Sequence, residues 1–110
     1  MRIRDVFIHL GLASFATMVL AASWTASGTV SNVWSHNGMH VIQTTIPNNS
    51  CGTSGKYWWY TSNPDAKDMF AIALVALSSD KKVSVIDIDS GETPNCIYGG
   101  QQIAYIRLDR

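Results

Sequence analysis

Apolar positions are distributed along this chain in two unlike ways. From Val6 to Leu20 they are nearly continuous, broken only by His9, Ser14 and Thr17; from Gly28 onward they come in short runs separated by turn residues. The first short run, Gly28 to Trp34, is rich in strand formers and stops at Ser35-His36-Asn37-Gly38. Asn-Gly between two such runs signals a hairpin, because both central residues of a type I′ turn need positive φ. The second run, Met39 to Ile46, ends at the loop composition Pro47-Asn48-Asn49-Ser50. The third, Lys56 to Thr61, carries four consecutive aromatics, Tyr57, Trp58, Trp59 and Tyr60, which a strand presents alternately to two faces. Beyond it the period changes. Asn63 offers an N-cap, Pro64 suits the first helical position, and Asp65 sits beside the positive end of the dipole, so a helix is predicted from Pro64 to about Ser79.

Ala66, Met69, Phe70, Ala73, Leu74 and Leu77 form one apolar face of that helix, and Ala71, Ile72, Val75 and Ala76 make its flanks and back apolar too. A helix apolar all round is expected to be buried on both sides, and one small sheet covers only one of them. Something else is expected to cover the other. Asp80-Lys81-Lys82 then leads into a strand from Val83 to Asp89, a turn over residues 90–95, and a last strand from Ile103 to Leu108. The fold class predicted is mainly β with one helix, in the order β-β-β-α-β-β. It forms one domain over residues 24–110, with no repeat.

The opening segment changes how the rest is read. Met1-Arg2-Ile3-Arg4, the apolar run and the small residues Ala21-Ala22-Ser23 have the layout of a signal peptide over residues 1–23, with the mature start between Ala22 and Trp24. A buried N-terminal helix is the alternative. The run of about 15 residues is shorter than the roughly 20 that span a bilayer, and no second span follows, so no permanent membrane anchor is expected. The expected location is secreted or periplasmic. In that setting Cys51 and Cys96, the only two cysteines, are expected to form a disulfide. Closing such a loop restricts the unfolded chain by about 4 kcal/mol in the chain-entropy account. Without Arg2, Arg4 and Asp5, six basic and seven acidic residues remain, a net charge of −1. Nucleic acid, which calls for a basic face, is not an expected partner.

The order of elements, with a helix between the third and fourth strands, is that of an OB-type barrel. Ala66-Lys67-Asp68-Met69-Phe70, Lys81-Lys82-Val83-Ser84-Val85, Thr93-Pro94-Asn95-Cys96-Ile97 and Ile103-Ala104-Tyr105-Ile106 resemble, in pattern and order over residues 64–108, the B subunits of bacterial A-B type toxins of the heat-labile enterotoxin and subtilase cytotoxin kinds. The resemblance implies a small OB-like five-stranded barrel, a homo-oligomer in the form of a pentameric ring with helices around a pore, and a glycan ligand. In such rings the pore side of the helix is polar, and Ala71, Ile72 and Val75 depart from that. No sugar-contacting residue is carried over.

The candidate binding residues are Trp34, Tyr57, Trp58, Trp59 and Tyr60, because exposed Trp and Tyr faces stack on sugar rings and dominate protein interfaces. One pair of the block must be core and the other is the candidate surface. His36 and His40 straddle the Asn37-Gly38 turn and lack a third ligand, so they are read as exposed hairpin residues and no metal site is expected. Asp87-Ile88-Asp89-Ser90-Gly91-Glu92 has part of a calcium-loop pattern but lacks its spacing, and reads better as a solvated strand end. Asn48-Asn49-Ser50 fits a glycosylation sequon. No phosphate loop, nucleophile elbow or Cys/His cluster occurs, so neither a catalytic set nor a cofactor is expected. The function expected is a secreted non-enzymatic domain recognising a glycan or protein on a surface. The alternative is a periplasmic inhibitor or immunity protein that blocks a partner enzyme.

Overall fold

The computed structural model describes residues 24–47, 51–88 and 96–110. The signal-peptide reading of residues 1–23, the sequon, and the calcium-like pattern beyond Ile88 lie outside the described residues. Among the described residues, six strands and one helix follow in the order β1 (Gly28–His36), β2 (Met39–Thr44), β3 (Lys56–Tyr60), α1 (Ala66–Ser79), β4 (Lys82–Asp87), β5 (Cys96–Ile97) and β6 (Gly100–Asp109). The fold is mainly β with one helix, as the periodicity predicts.

Asn37 and Gly38, at φ 52° and 75°, make the predicted two-residue turn, and β1 pairs antiparallel with β2 from His36↔Met39 back to Val30↔Thr44. β2 pairs antiparallel with β3, whose Tyr57 and Trp58 lie parallel to Gln101 and Gln102 of β6. β6 also pairs antiparallel with β4, and β4 returns to β1 at Gly28↔Val83 and Thr29↔Lys82. The five longer strands thus follow one another around an OB-like ring. Two of its seams, β3–β6 and β4–β1, are only two residue pairs long, which makes the barrel partly open. The second seam is extended by the chain before β1. Thr25 donates its amide to the Val85 carbonyl at 3.0 Å, and its hydroxyl accepts the Val85 amide at 3.1 Å.

The sixth strand, β5, is an addition to the predicted five. It exists because Tyr98 and Gly99 take φ 53° and 77° and fold Cys96–Ile97 back on the start of β6. Tyrosine is not a residue that announces such a turn. Regular α-helix begins at Ala66, two residues later than predicted. The N-cap is Asp65 rather than Asn63, and its side chain makes no capping bond; Asn63 forms a turn before the helix, its Oδ1 accepting the Asp65 amide at 2.8 Å and its carbonyl the Ala66 amide at 2.9 Å. At the other end Asp80 takes the left-handed conformation, and its amide and that of Lys81 both reach the Ala76 carbonyl.

The core is built from inward positions of all five ring strands, among them Val30, Ile42, Tyr57, Trp59, Val83, Val85 and Ile103, closed by a helical stripe of Ala66, Met69, Ala73 and Ala76. Three of those four helical residues are alanines, which lets the α1 backbone approach the barrel closely. The other side of α1 differs from expectation: Leu74, Val75 and Leu77 are exposed, and no described residue covers them. A narrow stripe of small side chains suffices to close one mouth of a small barrel, so the rest of the helix has nothing to pack against.

Gly55, at φ 72°, gives a direct test of this framework, because a Cβ there would stand 2.2 Å from the Thr44 carbonyl oxygen. That is the strand pair on which the Thr44 amide and hydroxyl both bond to the Gly55 carbonyl, each at 2.8 Å. Gly55→Ala is expected to destabilise by about 2 kcal/mol or more, combining left-handed strain with a backbone clash. Gly38→Ala, at similar φ with open space around it, should lose only about 1 kcal/mol. Urea midpoints for the two variants measure the difference.

Candidate functional site

The aromatic strand is buried on both faces. Tyr57 and Trp59 point into the barrel, each fully buried, and the Trp59 indole N–H donates to the Ala66 carbonyl at 3.2 Å. Trp58 points the other way, yet only 2 % of it is exposed. It belongs to a second, smaller cluster on the outer face with Met39 and Val41 of β2, against which Ile97 of β5 packs. Its indole N–H donates to the Gly100 carbonyl at 3.0 Å. Of the block, only Tyr60 is exposed, and it stands edge-on to Trp58 at 5.0 Å between ring centres. Tyr57, Trp58 and Trp59 are therefore packing residues, and Trp34 and Tyr60 are the two sequence candidates that reach solvent.

Trp34 does so at the lip of a cleft. The cluster of Met39, Val41, Trp58 and Ile97 is its apolar floor, and Trp34, Lys56, His36 and Tyr98 rise around it, forming a shallow depression open to solvent. Register places them there. Trp34 and His36 are alternate residues of β1, and their partners across the hairpin are Val41 and Met39, so all four side chains share the outer face. The far wall is the β5–β6 turn, where Tyr98, 67 % exposed, meets the His36 ring edge-on at 5.5 Å. The Lys56 ammonium donates to the Tyr98 carbonyl at 3.2 Å and lies 6.0 Å from the Trp34 ring centre, at the outer limit of a cation–π contact. Ser54 adds a hydroxyl bond to the Gly99 carbonyl at 2.9 Å.

The disulfide secures this wall. Cys51, just before β3, is bridged to Cys96, the first residue of β5, with a Cα–Cα distance of 5.6 Å. The bond fixes the β5–β6 hairpin beside the β3–β6 seam and over the outer cluster. Its place is thus local to the cleft as well as to ring closure.

Sequence reasoning missed Lys56, Tyr98, Met39, Val41 and Ile97, and it treated His36 and His40 alike. The structure separates the two histidines by face. His40 is half-buried, its ring stacked on Phe70 of α1 at 4.2 Å and tilted against Trp59 at 5.7 Å, while its Nδ1 meets the Ser35 hydroxyl at 2.6 Å. Burial lowers its pKa below 6.5. Asp87 is also half-buried; burial raises its pKa, and a bond with Gln101 pulls the other way. At the far end of β6, Asp109 accepts the Ser27 and Ser84 hydroxyls, each at 2.5 Å, and the Arg107 Nε–H at 2.9 Å. Those bonds, led by Ser27 and Ser84, hold its pKa low. Arg107 in turn lies over the Trp24 ring at 4.4 Å, pinning the start of the described chain to β6. Among the described residues no helix is long and apolar enough to cross a membrane, and no three His, Cys, Asp or Glu side chains gather as metal ligands.

The chain matches no protein-family model, no curated protein and no solved structure.

A pH profile separates the two polar anchors. Protonation would put charge on the half-buried His40 ring, so the stability of its neutral form is fully present above pH 6.5 and is lost as pH falls through that value toward the lower folded pKa. Asp109 behaves as a carboxylate whose folded pKa is depressed, with its contribution lost only below about 3.8. Melting temperature is expected to fall in two separate acid steps. His40→Phe, which keeps the stack on Phe70, should abolish the upper step and leave the lower one.

Proposed function

We propose that this chain is an exported, non-enzymatic binding domain that takes a ring-shaped ligand, a sugar, in the cleft between Trp34 and Tyr98. The observation that carries the reading is the pairing of exposed aromatic rims with a buried apolar floor. A Trp face left at a cleft mouth offers a rigid apolar plane to the C–H face of a sugar at little entropic cost, while Lys56 and His36 stand where ring hydroxyls would be. The cleft is shallow and open to solvent, so a ligand would lie across its rim on the Trp34 and Tyr98 rings rather than be enclosed. The signal-peptide layout of residues 1–23 supports an extracytoplasmic address, as does the disulfide. The resemblance of residues 64–108 to toxin B subunits supports a glycan as the ligand class.

A second reading is favoured by a different observation, the exposed apolar face of α1. Leu74, Val75 and Leu77 are what a protein partner would bury, whether an enzyme blocked by this domain or neighbouring copies in a ring. The variant Leu74→Lys with Val75→Lys should abolish inhibition or assembly and leave the cleft untouched.

Trp34→Ala tests the main reading directly. Trp34 belongs to neither buried cluster, so its loss should change the melting temperature by no more than about 2 °C. On a glycan array the wild-type protein is expected to retain a small set of sugars and the variant to lose at least tenfold in signal on the same set. Trp58→Ala is the wrong probe, because it empties the floor and is expected to destabilise by roughly 3–5 kcal/mol. A silent array for the wild type, with a monomeric solution mass, would sink the reading.

A further inference from the structure

We propose that the cleft is gated by the redox state of Cys51–Cys96: the bridge holds β5 in place as the cleft's wall, and its reduction frees that wall while the barrel stays folded. The inference rests on the reading of the cleft as the binding site and adds a control to it. The attachments of the β5–β6 hairpin divide into two groups. Those from β3 and the chain before it reach only the turn and the start of β6: Ser54 to the Gly99 carbonyl, Lys56 to the Tyr98 carbonyl, and Trp58 to the Gly100 carbonyl. On the β5 side the tie to the body shown among the described residues is the disulfide, with Ile97 resting on the outer cluster.

The β5–β6 ladder is two residue pairs long, Cys96↔Gln101 and Ile97↔Gly100. A ladder of that length does not hold an arm by itself. The barrel is differently placed, since its core draws on β1, β2, β3, β4, β6 and α1 and contains no residue of β5. The parallel seam keeps its own pairing at Tyr57↔Gln101 and Trp58↔Gln102. Cutting the bridge therefore removes the wall's anchor and leaves the core's contacts in place. Once β5 lifts, Ile97 leaves the floor, and the exposed bonds from Ser54 and Lys56 are left to hold the Tyr98 turn against His36, so the far wall of the cleft loosens.

The bridge is open to the reaction. Cys96 is exposed and Cys51 is half-buried, so a small dithiol can attack in line. One dithiol sulfur bonds to a cysteine sulfur and displaces the other cysteine as thiolate. The second dithiol sulfur then displaces the first cysteine. Two cysteine thiols form, the dithiol leaves as a cyclic disulfide, and two electrons and two protons have passed to the protein. Thiol pools of this class mark the reducing interior of cells, whereas the secreted and periplasmic settings are oxidising.

The test compares the purified protein before and after dithiothreitol by NMR, with no ligand required. On reduction, amide exchange over residues 96–99 is expected to speed up at least tenfold, and the cross-peak between the His36 and Tyr98 rings to disappear. The Val83, Val85 and Ile103 amides should keep their folded chemical shifts. The double variant Cys51→Ser with Cys96→Ser, made without any reductant, should reproduce the reduced pattern. Unchanged exchange at 96–99 overturns the proposal, and so does collapse of the Val83, Val85 and Ile103 amides to unfolded chemical shifts, which would make the bridge a staple of the whole barrel. Both samples then go on the glycan array. Silence in both states counts against the sugar-binding reading alone, whereas equal retention in both states counts against the gate.

Discussion

β3 buries an aromatic ring on each of its two faces. Tyr57 and Trp59 fill the barrel on one side and Trp58 is buried on the other, so a five-residue strand demands cover from two directions. The barrel interior supplies the first. The second comes from the hairpin of β5 and β6, which lies against the outer cluster, and from the Gly100 carbonyl, which satisfies the Trp58 indole N–H. An indole N–H buried without a partner would cost about 1–3 kcal/mol, so the hairpin's position answers a polar requirement as well as an apolar one. The parallel seam between β3 and β6, the bridge from Cys51 to Cys96 and the cleft itself all follow from that demand.

The helix responds to the opposite problem. Its inner stripe is mostly alanine, small enough to let α1 sit close over the barrel mouth, where Met69 reaches into the core and Phe70 stacks on His40. Small side chains bury little area each, so the helix owes its place to the fit of its backbone against the barrel and to the capping bond at Asp80 more than to any large anchor. The same economy leaves Leu74, Val75 and Leu77 facing solvent. An apolar face of this kind is uncommon on a chain that works alone, and it is the physical ground for the second functional reading.

Cleft and helix face lie on different surfaces of the same small barrel and are controlled by different chemistry. The cleft depends on a covalent bond between two loops and on hydrogen bonds from Ser54, Lys56 and Trp58 to consecutive carbonyls, 98 to 100. The helix side depends on His40, whose neutral ring is held between Ser35, Phe70 and Trp59. Redox state acts on the first and acidity on the second. The tie among Ser27, Ser84, Asp109 and Arg107, at the far end of β4 and β6, fixes the start of the described chain and responds only to stronger acid.

Local patterns were enough to determine most elements of this protein. The Asn37-Gly38 turn, the strands around it, the helix that follows the Asn63-Pro64 turn and the disulfide are each signalled within a few residues or by an even cysteine count, because φ restrictions, apolar periodicity and oxidative pairing act at short range or without regard to position. The candidate site was legible only in part. Trp34 was found by its chemistry, but Trp58 and Trp59, of the same chemistry, proved to be core, since alternation along a strand says that two faces exist and not what covers each. Lys56, Tyr98 and Ile97 carry no local signal at all. They meet Trp34 because β6 crosses from β4 to β3 and brings the β5 hairpin over the outer sheet, with Tyr98 in a left-handed turn that its residue type does not announce. Sequence alone determined which segments form strands and helix; which aromatic faces stay open to a ligand was decided by tertiary structure, because exposure belongs to the packing of distant segments.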